Sequence, residues 1–335
     1  MKQIEFFFKM ASRGVITRQR LFNLARHKLS ARKFPSQVAN PPFVATIETT
    51  NVCPLQCPTC PTGSRTMRRN KGRMSMERFQ AIVDLIAPFT FRLNLCKDGE
   101  PFLYNDFCDM VSYAKSRRMY VTTSTSGMFL ETPEKIDSLL SSGLDELIFS
   151  VDGANAETYD KFRIGGDFDQ VTETIRDVME IKRAKRVRAP EVILQCIITR
   201  WTENELDQVR TLGNSLGVDR VFLKTLFLNQ EIGMEVGQKF LPHREKLSRY
   251  TFSSSDPKSK RKPQKCRALW EDLTINWDGS VAPCCYDAHG DYILGRLPED
   301  GLWGVINSEA TREFRTRLTE GPLNRICENC AFAHR

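Results

Sequence analysis

The chain has 335 residues, of which 41% are hydrophobic and 27% are charged, so it can bury the core of a globular protein. This composition excludes a disordered chain, a collagen-like chain and a small disulfide-stapled protein. The net charge of +8 equals the charge of residues 1–34, which hold nine basic residues and one acid, Glu5. The other 301 residues carry 40 charges of each sign. A nucleic-acid-binding core is therefore disfavoured, because such domains are usually basic themselves.

Eleven cysteines are the second unusual feature of the chain, and their number is odd. No signal peptide is expected before them, since the apolar run at residues 6–10 is short and interrupted by Lys9. No apolar stretch approaches the roughly 18 residues of a membrane span. A reducing cytoplasm is the expected location, and clustered cysteines there more often bind metal than form disulfides.

Predicted elements follow in chain order from a basic segment over residues 1–40, whose apolar residues recur at helical spacing until prolines break the pattern. From residue 43, strands rich in β-branched residues alternate with helices. The predicted strands cover Phe43–Thr50, Phe91–Cys96, Tyr120–Ser124, Glu146–Val151, Val192–Thr199 and Arg220–Lys224. The predicted helices cover Met76–Ile86, Asn105–Arg118, Pro133–Ser142, Phe168–Lys185 and Glu203–Leu216. This alternation indicates an α/β fold, a partial (β/α)6 barrel over residues 41–235, although four or five strands also fit the count.

The rhythm is lost beyond the barrel. Residues 236–265 are predicted to be a linker or exposed loop, because Ser253–Lys265 is polar, basic and interrupted by two prolines. Residues 266–335 are predicted to form a small cysteine-rich α+β extension. A hairpin is expected around Asp278-Gly279, and a short helix over Glu309–Leu318.

Three cysteines, Cys53, Cys57 and Cys60, follow directly on the first predicted strand. Thiolates at this spacing in one loop can converge on a single metal centre. Zinc sites usually need four ligands, whereas three suit a [4Fe–4S] cluster with one open iron, which can hold a substrate or cofactor. The alternative is a zinc site completed by a distant His or Cys.

The Cx3Cx2C motif at this position resembles the radical S-adenosylmethionine (SAM) superfamily. That resemblance implies that the open iron binds SAM, which is cleaved reductively to a 5′-deoxyadenosyl radical that abstracts a hydrogen atom. It also implies SAM contacts at the ends of the following strands, within Asp98-Gly99-Glu100-Pro101, Ser124-Thr125-Ser126-Gly127 and Ser150-Val151-Asp152-Gly153, and at Arg163 and Thr199, with Asn204 as a weaker candidate. The implied roles are the SAM amino group for the Gly99, Glu100 and Pro101 loop, the ribose for Ser150 and Asp152, and the carboxylate for Arg163. Thr59 departs from the aromatic residue that many members carry before the third cysteine.

A second cysteine set resembles the SPASM or twitch extension of radical SAM enzymes. The pattern is Cx12Gx4C followed by a later Cx2C, and it implies one auxiliary [4Fe–4S] cluster held by Cys266, Cys284, Cys327 and Cys330. A zinc ribbon on the same four thiolates is the alternative. Cys285, beside Cys284, is left as an alternative ligand, a buried thiol or a hydrogen-atom donor. Cys96, Cys108 and Cys196 are expected to be core residues.

These features predict a radical SAM enzyme, of oxidoreductase type, acting on a small-molecule, carbohydrate-linked or lipid-linked substrate and reduced by a flavodoxin or ferredoxin. The small-molecule preference rests on the basic segment being too short for a leader-binding domain. A ribosomal-peptide maturase or a radical epimerase is the alternative, and an iron–sulfur electron carrier or zinc adaptor is the non-enzymatic one. Residues 1–34 are expected to pack on the barrel with their charges in water, or to dock on an anionic membrane or substrate.

Overall fold

The computed structural model describes residues 9–30, 34–228, 237–251, 258–260 and 266–331. It confirms the α/β fold with a cysteine-containing C-terminal extension. The strands are β1 (Val44–Ile47), β2 (Arg92–Asn94), β3 (Tyr120–Thr125), β4 (Glu146–Ser150), β5 (Glu191–Ile198), β6 (Arg220–Thr225), β7 (Tyr250–Thr251), β8 (Lys258–Ser259), β9 (Asp272–Ile275), β10 (Ser280–Ala282) and β11 (Gly295–Arg296). The helices are α1 (Arg18–Ser30), α2 (Met76–Ile86), α3 (Phe107–Ser116), α4 (Pro133–Ser141), α5 (Ala156–Asp160), α6 (Phe168–Ala184), α7 (Leu206–Leu216), α8 (Ala268–Glu271), α9 (Gly301–Ile306), α10 (Glu309–Glu320) and α11 (Arg325–Glu328).

Strands β1 to β6 are parallel and neighbour one another in chain order, as a partial barrel requires. The helices between them follow from local signals. Helix α2 begins after Ser75, whose side chain accepts a hydrogen bond from the backbone of Arg78, and it buries Phe79, Ile82 and Ile86 at helical spacing. Helix α7 ends at Gly217 in the left-handed conformation.

The two faces of the sheet differ in chemistry. Residues facing the helices are apolar, such as Leu93 and Leu147, both fully buried. The residues that alternate with them face the barrel interior and are mostly polar, with Ile148, Ile193 and Ile197 among the exceptions. A hydrogen-bond ladder crosses the interior face from Asp272 through Thr46 and Asn94 to Thr122. The interior therefore offers polar contacts to a bound molecule. In barrels of parallel strands such molecules bind at the carboxyl ends of the strands.

The N-terminal segment closes the opposite end of the barrel. Lys9 donates to Glu146, at the start of β4, over 2.8 Å and also to Glu191, at the start of β5. Arg20 of α1 is 2% exposed, and its guanidinium donates to four backbone carbonyls. The expectation that the charges of this segment lie in water is therefore wrong for Lys9 and Arg20, since burial is offset by these hydrogen bonds.

The C-terminal extension joins the barrel sheet. Strand β9 pairs with β1 in parallel, and β10 turns back on β9 as the predicted hairpin. Nine strands thus form one sheet, whereas the sequence predicted six and a separate extension.

The described parts of the predicted linker also pack closely. The Tyr250 side chain is 1% exposed and its hydroxyl accepts from Leu228, while the backbone N–H of Ser259 donates to Asn329 over 2.7 Å. Residues 252–257 and 261–265, which hold most of Ser253–Lys265, lie outside the described residues.

Candidate functional site

The first cysteine loop sits at the carboxyl end of β1, with its sulfurs turned toward backbone N–H groups. The N–H of Leu55 points at Cys53, and those of Thr62 and Gly63 point at Cys60. Burial raises the pKa of Cys53 to about 12 and that of Cys60 to about 11, while these N–H groups favour the thiolate. A bound metal replaces the proton as the partner of each sulfur, so the loop fits a cluster ligated by thiolates.

Gly63 lets this loop fold back on itself. A Cβ there would stand 2.5 Å from the backbone nitrogen of Cys57, closer than packing permits. Gly63 was not among the site residues predicted from the sequence.

The Gly99 segment presses against the end of the first strand. A Cβ at Gly99 would lie 2.3 Å from the carbonyl oxygen of Thr50, and its φ is +84°. The next backbone N–H, of Glu100, donates to Val52 over 2.8 Å. Pro101 then opens a short 3-10 turn. Only glycine fits this approach, which ties the segment to the cysteine loop.

The Glu100 carboxylate has a different task from the one that the resemblance implies. It is 2% exposed and accepts hydrogen bonds from the Thr125 hydroxyl and from both the backbone N–H and the hydroxyl of Ser126, each 2.7 Å long. A fourth comes from Phe102 over 3.3 Å. With its acceptor sites satisfied, this carboxylate ties the ends of β2 and β3 together, and Ser126 is its partner.

Asp152 and Arg163 form a buried pair beside the first cysteine loop. Arg163 Nε donates to Asp152 Oδ2 over 2.6 Å, and Nη1 lies 3.7 Å from Cys57 Sγ. The other Asp152 oxygen accepts from the Ile197 backbone over 2.6 Å, and Asp152 is not exposed. Asp152 is thus a positioning residue that aims the guanidinium at the cluster loop. Ser150, predicted with it, faces the interior and hydrogen-bonds Ser124 over 3.1 Å.

Thr199 is buried in the turn that follows β5. It is 1% exposed, its backbone N–H donates to the Thr202 hydroxyl over 2.8 Å, and the two hydroxyls lie 3.3 Å apart. Its polar groups thus close this turn, and its contact with SAM stays a prediction. Asn204 likewise accepts from Arg244 at the surface.

The second cysteine set gathers where α11 meets the hairpin. Burial raises the pKa of Cys327 to about 12, and the nearby Cys330 and Cys266 thiols reinforce the shift. Burial and then the Cys285 charge raise the pKa of Cys284, which also feels Cys330 and Cys327. Cys327 is thus within electrostatic reach of the other three expected ligands, and four thiols are the donor set of a fully ligated cluster.

Cys285 points the other way, toward the barrel. Its side chain is exposed, yet the surrounding protein raises its pKa to about 12 by desolvation, with Asp272, Lys97 and Lys224 as charged neighbours. The divergence from Cys284 agrees with the sequence argument that adjacent cysteines face apart.

Two interior residues were missed by the sequence argument. Cys96 follows Arg92 and Asn94 on the interior face, and Lys224 lies on the same face of β6. Desolvation lowers the pKa of Lys224, and the nearby Cys285 opposes that shift. Cys96 is therefore not a core residue as predicted, whereas Cys196 is buried in the core. Strict alternation from Arg92 was the available signal.

A buried ion cluster joins the barrel to the extension. Arg69 pairs with Glu48 through two 2.7 Å bonds and lies 3.5 Å from Asp98, which pairs with Lys97 over 3.0 Å. Arg69 also donates to the carbonyl of Ala288 over 2.7 Å. This network fixes the extension against the end of β1, next to both cysteine sets.

Within the described part of the chain, no three His, Cys, Asp or Glu side chains stand as close as the ligands of a single metal ion. The fit therefore rests on the donor chemistry of the two thiol sets.

Comparison with known families gives two matches. The sequence profile of the Radical SAM superfamily matches residues 47–222, about half of the chain, and that of the SPASM iron–sulfur cluster-binding domain matches residues 266–331. The matched ranges contain the two cysteine sets. The second description names iron–sulfur clusters, which favours them over the zinc alternatives.

Curated relatives include a maturase and a peptide cyclase. The mycofactocin maturase MftC of Mycobacterium tuberculosis is 30% identical over 177 residues, which is 52% of this chain and 43% of that protein. This match thus spans less than half of the length of that relative. MftC of Mycolicibacterium smegmatis is 28% identical over 86% of this chain and 75% of the length of that protein. The PqqA peptide cyclase of Rhizobium meliloti is 26% identical over 78% and 72%.

Solved structures support the fold. Streptococcus suis SuiB bound to S-adenosylmethionine superposes with a TM-score of 0.59 at 14% identity, covering 92% of this chain and 81% of SuiB. BtrN in complex with AdoMet and 2-DOIA gives a TM-score of 0.55 at 16% identity, covering 88% and 94%.

Proposed function

The chain belongs to the radical SAM superfamily and carries a SPASM iron–sulfur domain, and from this membership we propose that it matures a ribosomally made peptide. Its cofactors are a [4Fe–4S] cluster, SAM and auxiliary iron–sulfur chemistry. When bound, these groups supply a 5′-deoxyadenosyl radical that abstracts a hydrogen atom and a nearby centre that exchanges electrons. We further propose one auxiliary cluster and a flavodoxin-type or ferredoxin-type reductant.

The single observation that carries the peptide proposal is the identity of the relatives. MftC and the PqqA peptide cyclase align with this chain through both the barrel and the extension, over 86% and 78% of its length. The earlier preference for a small molecule rested on the shortness of residues 1–40. Lys9 and Arg20 show that this segment closes the barrel, so its length carries no information about the substrate.

The residues of the chain have separable tasks in this proposal. Cys53, Cys57 and Cys60 hold the SAM-binding cluster, and Cys266, Cys284, Cys327 and Cys330 hold the auxiliary one. The backbone at Gly99 receives the SAM amino group, Ser150 faces the ribose, and Arg163 holds the SAM carboxylate in a bidentate pair. Glu100 and Asp152 position these groups without touching the ligand.

In this proposal the substrate enters the barrel interior at the carboxyl ends of the strands. Cys96, Cys285 and Lys224 line this interior, so they lie where a substrate side chain would be held. A radical epimerase, with Cys285 as hydrogen-atom donor, uses the same geometry and is the second candidate. Its place beside Lys97 and Lys224, away from the other auxiliary cysteines, supports that role.

The test is an anaerobic incubation of the cluster-loaded protein with SAM and dithionite. Synthetic peptides matching short reading frames beside its gene form one panel, and aminocyclitols and sugars form the other. We expect 5′-deoxyadenosine together with a mass change at one residue of a peptide. Cys57→Ala should abolish both products, whereas Cys327→Ser should retain SAM cleavage and lose the peptide product. A consumed sugar with all peptides unchanged would overturn the proposal.

A further inference from the structure

Helix α1 packs with its polar face toward the barrel. Arg20, Asn23 and His27 are its buried residues, and Asn23 donates to the carbonyls of Pro41 and Phe89. These carbonyls, like three of the four that receive Arg20, lie just before β1, β2 and β3; the fourth belongs to Val15 in the N-terminal segment. The helix therefore covers the amino ends of the barrel strands, opposite the cysteine loops.

The outward face of α1 carries large apolar side chains. Phe22 is 63% exposed, Leu29 76% and Leu21 39%, although burial of such side chains is the usual outcome. Trp303 of α9, 47% exposed, stacks edge-on against Phe89 with ring centres 6.0 Å apart, and Phe89 also accepts from Asn23 of α1. Four of the seven large hydrophobic side chains exposed in the described part of the chain thus lie on this end of the barrel.

The same face is positively charged. Arg18, Arg26 and Lys28 are exposed, and α1 contains no acidic residue. Among the ion pairs formed by the described residues, none involves these three cations. The guanidinium of Arg26 stacks on the Phe22 ring instead, 5.4 Å from its centre. Apolar side chains interleaved with uncompensated cations are the pattern of helices that lie in the interface of an anionic bilayer.

We propose that the outward face of α1, together with Trp303, docks the enzyme on an anionic lipid surface. Arginine and aromatic residues are also enriched at protein interfaces, so a second copy of the chain is the competing occupant, which the test below separates from lipid. No helix in the described ranges is long and apolar enough to span a bilayer. Docking in this orientation turns the cysteine loops and the barrel opening away from the lipid, toward a substrate arriving from solution. The proposal does not depend on which substrate that is.

The test is sedimentation of the cluster-loaded full chain with vesicles of pure phosphatidylcholine or of phosphatidylcholine with 30% phosphatidylglycerol. We expect binding to the anionic vesicles that falls at least tenfold in Phe22→Ser/Leu29→Ser. A similar loss is expected in Arg18→Gln/Arg26→Gln/Lys28→Gln. These side chains are exposed, so the fold should be retained. The matched control is Val187→Ser/Arg210→Gln, which removes an exposed apolar residue and an exposed cation elsewhere and should bind as the wild type does.

Equal binding of the wild type and both α1 variants would overturn the proposal, as would equal binding to neutral and anionic vesicles. Wild-type protein that ignores all vesicles but dimerises through Phe22, as measured by sedimentation velocity, would overturn it in favour of an interface between copies. Each outcome is independent of peptide modification, so failure here leaves the proposed function standing.

Discussion

Arg69 donates two parallel hydrogen bonds to Glu48, each 2.7 Å long, and the Glu48 carboxylate is fully buried. Glu48 also accepts from the backbone N–H of Trp277 over 3.1 Å, in the hairpin of the extension. The pair therefore joins the end of the first barrel strand to the domain that carries the auxiliary cysteines.

Glu48→Gln should destabilise the protein strongly. The amide cannot receive both Arg69 bonds, and a buried cation left without its partner costs about 3 kcal/mol or more. We expect the thermal unfolding midpoint of the cluster-loaded protein to fall by about 5 °C or more. Glu299→Gln is the matched control, since it breaks the half-exposed Arg78–Glu299 pair, where the loss should stay below about 1 kcal/mol. Equal shifts in the two variants would contradict the structural role of Glu48.

Asp152→Asn should weaken SAM binding while sparing the cluster. The change removes the charge that holds Arg163 Nε at 2.6 Å, a contribution of about 1.5–3 kcal/mol for a charge-assisted bond. We expect the Kd for SAM to rise about tenfold or more, measured by the perturbation of the cluster's electron paramagnetic resonance signal. Iron content should be unchanged.

The matched control for this experiment is Asp160→Asn, at an exposed carboxylate on the neighbouring helix α5. It should bind SAM normally. A wild-type Kd in Asp152→Asn with full iron would mean that Arg163 needs no positioning, and lost iron would mean a structural role only.

The adjacent cysteines Cys284 and Cys285 should behave differently on substitution. Cys284 lies with Cys327 and Cys330, whereas Cys285 faces Lys97 and Lys224 in the barrel. Cys284→Ser should therefore lose the auxiliary cluster, about four of about eight irons per chain, and Cys285→Ser should keep all of them. Iron and sulfide analysis after anaerobic reconstitution gives the answer. Loss of the same amount of iron in both variants would contradict the divergence seen here.

Much of the barrel could be predicted from the sequence because its signals are local. Helix α2 begins and ends where periodicity and Pro88 place it, and β4 differs from its prediction by one residue. The hairpin at Asp278-Gly279 was equally local. What could not be predicted was the parallel pairing of β9 with β1, since their partners lie more than 200 residues apart and nothing in a short strand specifies its neighbour.

The candidate site divides in the same way. Motif spacing singled out the cysteine sets, and the family resemblance singled out Arg163, but neither reveals which polar atoms are already hydrogen-bonded within the protein. Glu100 and Thr199 match the family pattern, and yet both form their hydrogen bonds with other residues of the protein. Helix α1 differs from its prediction in another way. Its apolar spacing predicted that the apolar face packs on the barrel. Instead, carbonyls at the strand ends accept hydrogen bonds from Arg20 and Asn23, and Phe22 faces outward.

Mild acid should loosen helix α1 through His27. This side chain is 5% exposed, its Nε2 has no hydrogen-bond partner, and its ring packs edge-on against Phe43. Burial, with Arg267 and Arg315 nearby, lowers the pKa of His27 from 6.5 to about 4. Between these values His27 binds a proton when α1 is released from the barrel and stays neutral when α1 is packed on it. The packing of α1 on the barrel therefore weakens as the pH falls from about 6.5 toward 4.

The expected loss is about 2 kcal/mol between pH 6.5 and pH 5, above the range in which most carboxylates titrate. Hydrogen exchange of the α1 amides, corrected for the intrinsic effect of pH, measures it as faster opening at pH 5. His27→Gln removes the titrating group and should make α1 opening nearly independent of pH across that window, at a somewhat higher baseline. Faster opening at lower pH requires a group that takes up a proton when α1 is released. An unchanged pH dependence in His27→Gln would therefore show that this group is not His27.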